Sequence, residues 1–279
     1  MIRYVGYLFI FWVVFCAQYA AASAPLARVL QSGHYDADVR DFSAFAEEAV
    51  HQAMARGFYI PISQRQALMG QVRAKLGPEV LSQKLVTQMQ SVAGNTSVRS
   101  VRDWYSSEVG RKTLVGIQVA YQPGAERRQK AIAPSLLADE DLYGWWQSYS
   151  KQYPFAEKWL ERRERVLVES VSYIAATMKP YTPFDKAQVE EQLARETFDL
   201  RPKVEERVMW RQLHALSDLA VTEYVRYKKF TTSTSHVAFL KLVGSASDRV
   251  VAQATADFKA MLAEHIVPES APIDAQDPQ

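Results

Sequence analysis

Residues 42–53 read FSAFAEEAVHQA, and the reading of that stretch decides the fold. Phe42, Phe45, Ala46, Ala49, Val50 and Ala53 recur at intervals of three and four residues. That interval puts them on one stripe of an α-helix, whereas a half-buried strand needs every second residue apolar. The same period returns throughout the chain, and no stretch alternates long enough to argue for a sheet. The expected fold is all-α.

Working outward, punctuating residues divide the chain into helices. Gly57 ends the first, and Ser63 is placed to cap a second that carries Ala67, Leu68, Val72 and Leu76 up to Gly77. Pro78 suits the first turn of a third, Val80 to Val92, because the N–H it lacks is one a helix start leaves unbonded. Ser97 or Ser100 opens a fourth through Trp104 and Tyr105, and a fifth spans Gly110 to Tyr121. A polar connector leads to Asp139–Ser150. Pro154 then begins a long helix with Trp159, Arg163, Val166, Leu167, Ser170, Val171 and Ile174 on one face. The mixed charges from Glu157 to Arg165 read as its solvated side. Beyond breaks at Pro180 and Pro183 come Asp185–Phe198, Pro202–Leu216 and Asp218–Phe230, then a last helix from Ser235 to Ile266 that Gly244 could interrupt.

The N-terminus reads as an address. Arg3 precedes an apolar run from Tyr4 to Phe15, followed by Ala20-Ala21-Ala22-Ser23-Ala24, the order of a signal peptide cleaved after Ala22. Uncleaved, Tyr4 to Ala24 could anchor the chain in the inner membrane. Periplasmic or secreted location is the expectation. The only cysteine, Cys16, lies in this leader, so the mature chain has no disulfide and no thiolate ligand. Lys and Arg number 33 against 31 Asp and Glu, a balance that offers nucleic acid no electrostatic foothold.

Two parts of the chain follow one plan. Phe58-Tyr59-Ile60-Pro61-Ile62-Ser63 resembles Pro180-Tyr181-Thr182-Pro183-Phe184-Asp185, Pro78-Glu79-Val80 corresponds to Pro202-Lys203-Val204, and Val101–Trp104 to Tyr224–Tyr227. The expected organisation is two related helical bundles in tandem, of about nine or ten helices. Residues 1–22 form the leader, 25–135 the first half, 136–179 an aromatic connector and long helix, 180–267 the second half, and 268–279 a disordered tail.

Residues Trp104-Tyr105-Ser106-Ser107-Glu108-Val109-Gly110-Arg111-Lys112 resemble the aromatic-Tyr-x-Ser-Pro-x-Gly-x-Lys signature of the exported bacterial family called domain of unknown function 2059. Tyr105, Ser107, Gly110 and Lys112 match it; Trp104 replaces the usual Phe and Glu108 the usual Pro. The resemblance implies a secreted all-α fold and carries no reaction or cofactor. On physical grounds, Trp104 and Tyr105 end one helix with a buried aromatic pair, Ser107 caps the next near Gly110, and Gly110 admits a close backbone neighbour.

Linear catalytic signatures are missing. There is no phosphate-cradling glycine loop, no zinc-binding His-Glu-x-x-His and no Gly-x-Ser-x-Gly elbow. Glu48-Ala49-Val50-His51 is half of a di-iron motif without its second copy, and reads as a surface pair. Ser148-Tyr149-Ser150-Lys151 fits Ser-x-x-Lys but lacks its companion motifs, and Arg127-Arg128-Lys130 reads as solvated connector. No cofactor or metal is expected.

Aromatic residues are the one concentration. Tyr143, Trp145, Trp146, Tyr149, Tyr153, Phe155 and Trp159 crowd the connector, either as a core seam or as a groove for a glycan or an apolar peptide. Tyr143, Trp145, Trp146 and Tyr149 are the candidate binding residues. The expected role is a non-catalytic envelope protein that binds or scaffolds another envelope protein, a peptide or a glycan. A homodimer and a hydrolase or lyase with dispersed acidic and tyrosine residues are the competing classes.

Overall fold

The computed structural model describes residues 26–178 and 185–266. The leader, the Pro180 and Pro183 breaks and the 268–279 tail fall outside these. Among the described residues every regular element is a helix, so the fold is all-α as the period requires. None of those helices is long and apolar enough to cross a membrane.

The helix starts show how local chemistry sets boundaries. Asn95, not Ser97 or Ser100, caps Thr96–Ser106 by accepting the Ser97 N–H at 2.8 Å. Asp139 accepts from Leu142 N–H at 2.9 Å to open Glu140–Gln152, and Asp185 accepts from Ala187 N–H at 2.9 Å to open Lys186–Leu216. Each satisfies a donor that the first helical turn would otherwise leave unbonded. Ser63 does not cap its helix, which starts one residue earlier at Ile62, after Pro61.

Two connections foreseen as irregular are helical. The polar connector is the helix Ala125–Ala138, despite Pro134. Gly124 turns the chain into it at φ 79°, a left-handed conformation that costs glycine little. Buried Ala125 and Leu136 hold it, and Gln129 donates to the Ala120 carbonyl at 2.9 Å. The segments expected at Asp185–Phe198 and Pro202–Leu216 are one helix, Lys186–Leu216, with Pro202 inside. Proline there leaves the Phe198 carbonyl without its usual N–H. Phe198 is 74% exposed, so water reaches that turn. The last helix also runs unbroken, Thr234–His265; a methyl at Gly244 would come within 3.3 Å of the Tyr153 hydroxyl, so the glycine makes room for a ring.

The chain forms two compact units, each drawing on early, middle and late sequence. Among the described residues, the first holds 26–37, 82–155 and 205–246, and the second holds 38–81, 156–178, 185–204 and 247–266. These units cut across the sequence halves 25–135 and 180–267.

The second unit is organised around two arginines, Arg162, foreseen only as part of a solvated face, and Arg163, foreseen both in that charged run and on the stripe of Trp159 and Val166. Arg162 is 1% exposed and pairs with Asp38 and, at 3.0 Å, with Asp248. Arg163 is 5% exposed, and its Nε donates to Glu48 at 2.9 Å. The correction has a physical reason. Arg162 and Val166, like Arg163 and Leu167, sit one turn apart on the helix Phe155–Thr177, so both guanidinium groups point where the apolar stripe points. Desolvated there, each needs a carboxylate.

Candidate functional site

The four aromatic candidates lie on the helix Glu140–Gln152, and its period separates them. Trp145 and Tyr149, four residues apart, are each 3% exposed and stack on one another at 5.2 Å. The Trp145 indole N–H donates to Thr231 Oγ1 at 3.1 Å. Both belong to the core. Tyr143 and Trp146, three residues apart, lie half-buried with their rings within 19° of parallel at 6.4 Å. Of the seven crowded rings, Trp159 belongs to the second unit, where it meets Phe45 at 5.1 Å and donates to Asp41 at 2.7 Å.

Behind Trp145 the first unit holds a polar chain that no motif announces. The His236 ring is fully buried; its Nδ1 lies 3.1 Å from the Thr231 carbonyl and its Nε2 3.2 Å from the Tyr35 hydroxyl. A carbonyl only accepts, so Nδ1 carries the proton and Nε2 accepts from Tyr35. Tyr35 in turn accepts from Tyr105 Oη at 2.7 Å. Every polar tip in this chain is thus satisfied. Burial lowers the His236 pKa to about 4, outweighing the opposite effect of its bond to Thr231, and burial raises the Tyr35 and Tyr105 hydroxyls well above their ordinary range. At neutral pH all three groups are uncharged and hold their protons firmly. Tyr35 and His236 are 201 residues apart, a distance over which sequence spacing carries no signal.

The signature segment frames the same cluster. Trp104 stacks on Phe230 at 4.0 Å, and Tyr105 is 3% exposed. Ser107 accepts from the Gly110 N–H at 3.1 Å, as expected, and opens the helix Glu108–Ala120. A methyl on Gly110 would lie 2.2 Å from the Trp104 carbonyl oxygen and 2.6 Å from Tyr105 Cα, so only glycine lets the turn close. Lys112 pairs with Glu223 at 2.6 Å. A second turn of the same kind faces the first: Ser233 accepts from the His236 N–H at 3.2 Å after the helix Val221–Thr231. Its matching position to Trp104 is Phe230, the ring Trp104 stacks on.

The remaining candidates separate. Glu48 turns to Arg163 while His51 is solvent-exposed, so the half di-iron motif is not assembled. Ser148 donates to the Gly144 carbonyl at 3.1 Å, an ordinary back-bond within a helix. Arg127, Arg128 and Lys130 are exposed. Comparison with family models, curated proteins and solved structures found no match to the chain.

Proposed function

We propose that this is an exported, non-catalytic binding protein of the bacterial envelope, akin to the family called domain of unknown function 2059, and that Tyr143 and Trp146 form its contact surface for a glycan. The observation that carries this reading is the division of labour along one helix. Trp145 and Tyr149 close the core, while Tyr143 and Trp146 on the adjoining face stay half-buried with their rings nearly parallel. Nearly parallel rings offer a platform for the apolar face of a sugar, and rigid aromatic side chains lose little entropy on binding. The buried histidine and tyrosines support the same reading. They are uncharged at neutral pH and engaged with one another, an arrangement suited to holding a core together.

The test is calorimetric titration of the mature chain with soluble N-acetylated glycan oligomers and, separately, with an apolar peptide. Glycan binding that weakens by about tenfold or more in Trp146→Ala is the expected outcome. Peptide binding alone, or glycan binding indifferent to Trp146→Ala and Tyr143→Ala, would overturn it.

A further inference from the structure

The second unit carries a groove built by two helices. From Phe42–Ala55 come Glu47, Val50 and His51, and from Ile62–Leu76 come Arg65, Gln66, Met69, Gly70 and Arg73. Both sets follow the helical interval, so each is a single stripe. The hollow between them is about 370 Å³, at the lower end of small-ligand sites. Its floor is apolar, since Val50 is 1% and Met69 8% exposed, and its rim is charged.

Positive charge predominates on that rim. From Ala49 to Pro78 the chain contains Arg56, Arg65, Arg73 and Lys75 and not one Asp or Glu. Arg56 is engaged by Gln52 and Gln192, and Lys75 by Gln71. Arg65 has only the weak Met54 thioether at 3.4 Å, and among the described residues Arg73 contacts no carboxylate. A guanidinium presents a planar fork of donors matched to carboxylate and phosphate oxygens. Arg65 and Arg73 are two turns apart on one stripe, with Met69 between them. Glu47 is the single negative group on the opposite wall.

Gly70 points the same way. A methyl built there meets nothing within 4 Å, so packing does not require the glycine. In a helix interior it costs roughly 1 kcal/mol relative to alanine. What its missing side chain provides is width, at the middle of the groove and between the two arginines.

We infer that this groove binds an organic oxyanion, a carboxylate or phosphate carried on a short apolar stem, with the oxyanion on Arg65 and Arg73 and the stem on Val50 and Met69. The site lies entirely within the second unit and is independent of the Tyr143 and Trp146 surface, so either can fail alone. The probes are hexanoate, hexyl phosphate and inorganic phosphate, titrated calorimetrically into the full mature chain. Hexanoate or hexyl phosphate should bind more tightly than inorganic phosphate, and the stronger of the two names the oxyanion. Arg73→Glu, at an exposed position, should weaken binding by about tenfold or more through loss of a charge-assisted contact. Gly70→Phe should abolish binding while the helical circular dichroism and melting transition persist. Binding unchanged in Arg73→Glu, binding unchanged in a folded Gly70→Phe, no preference for the stemmed ligands, or no heat from any probe at millimolar concentration would each overturn the assignment.

Discussion

His236 shows how much one position can settle. Its pKa is lowered from 6.5 to about 4 by burial, so the folded chain resists a proton that the unfolded chain accepts. Well above pH 6.5 both states are neutral and the residue contributes no pH dependence. As pH falls from about 6.5 to about 4, the unfolded state alone gains the proton, so stability is lost across that window, by roughly 3 kcal/mol at most. Urea unfolding at pH 7 and pH 4.5 should show this loss in the native chain, and His236→Gln should flatten it; an equal slope in both would remove the buried imidazole from the account. Trp145 and Trp146 make the companion case. Trp145→Ala deletes a core ring and an indole hydrogen bond, and should cost about 3–5 kcal/mol. Trp146→Ala should cost about 1 kcal/mol or less. Equal costs by thermal denaturation would contradict the inward and outward assignment. Adjacency in sequence made it legible that the two rings could not face one way. Which of them faced inward needed the partner ring of Tyr149 and the Thr231 acceptor, 86 residues away.

At the scale of the element, glycines distinguish packing from opening. Gly110 is closed in by backbone, and Gly110→Ala should destabilise by about 1–3 kcal/mol or more, because the clashing atoms are backbone and cannot rotate aside. Gly70 is open, and Gly70→Ala should stabilise by about 0.5–1 kcal/mol, since helix propensity is then the only difference. Melting temperatures moving in the same direction would undo the contrast. Helix existence was legible wherever the apolar interval was strong, as at Phe42–Ala53, and so was the cap at Ser107. Boundaries set by proline were not. Pro202 read as the start of a new helix and the stretch around Pro134 as a polar connector, yet both prolines sit inside helices, because tertiary burial on either side outweighs one missing hydrogen bond. Charge was misread at Arg162 for the same reason: it lies in a run of mixed charges typical of solvated helix, and only its carboxylate partners, distant in sequence, make burial tolerable.

For the whole molecule, the all-α class followed from one repeating interval, whereas the grouping into compact units did not. Each unit gathers three separated stretches of chain, and no linear boundary marks where such pieces change company. The internal duplication and the cleaved leader remain proposals of a different kind, the first argued from paired motifs and the second from Arg3, the apolar run and Ala22. Intact-mass measurement of exported protein should give the mass of residues 23–279; a mass retaining residues 1–22 would contradict cleavage and leave an anchored protein. The central claim is that the buried aromatic chemistry is structural and the half-buried pair, Tyr143 and Trp146, does the binding. Its most direct measurement is the indole N–H spectrum of nitrogen-15-labelled protein titrated with the glycan oligomer. The Trp146 signal should move to saturation while the Trp145 signal, held to Thr231 in the core, stays in place. A stationary Trp146 signal at saturating ligand, or a shifting Trp145 signal, would contradict the account.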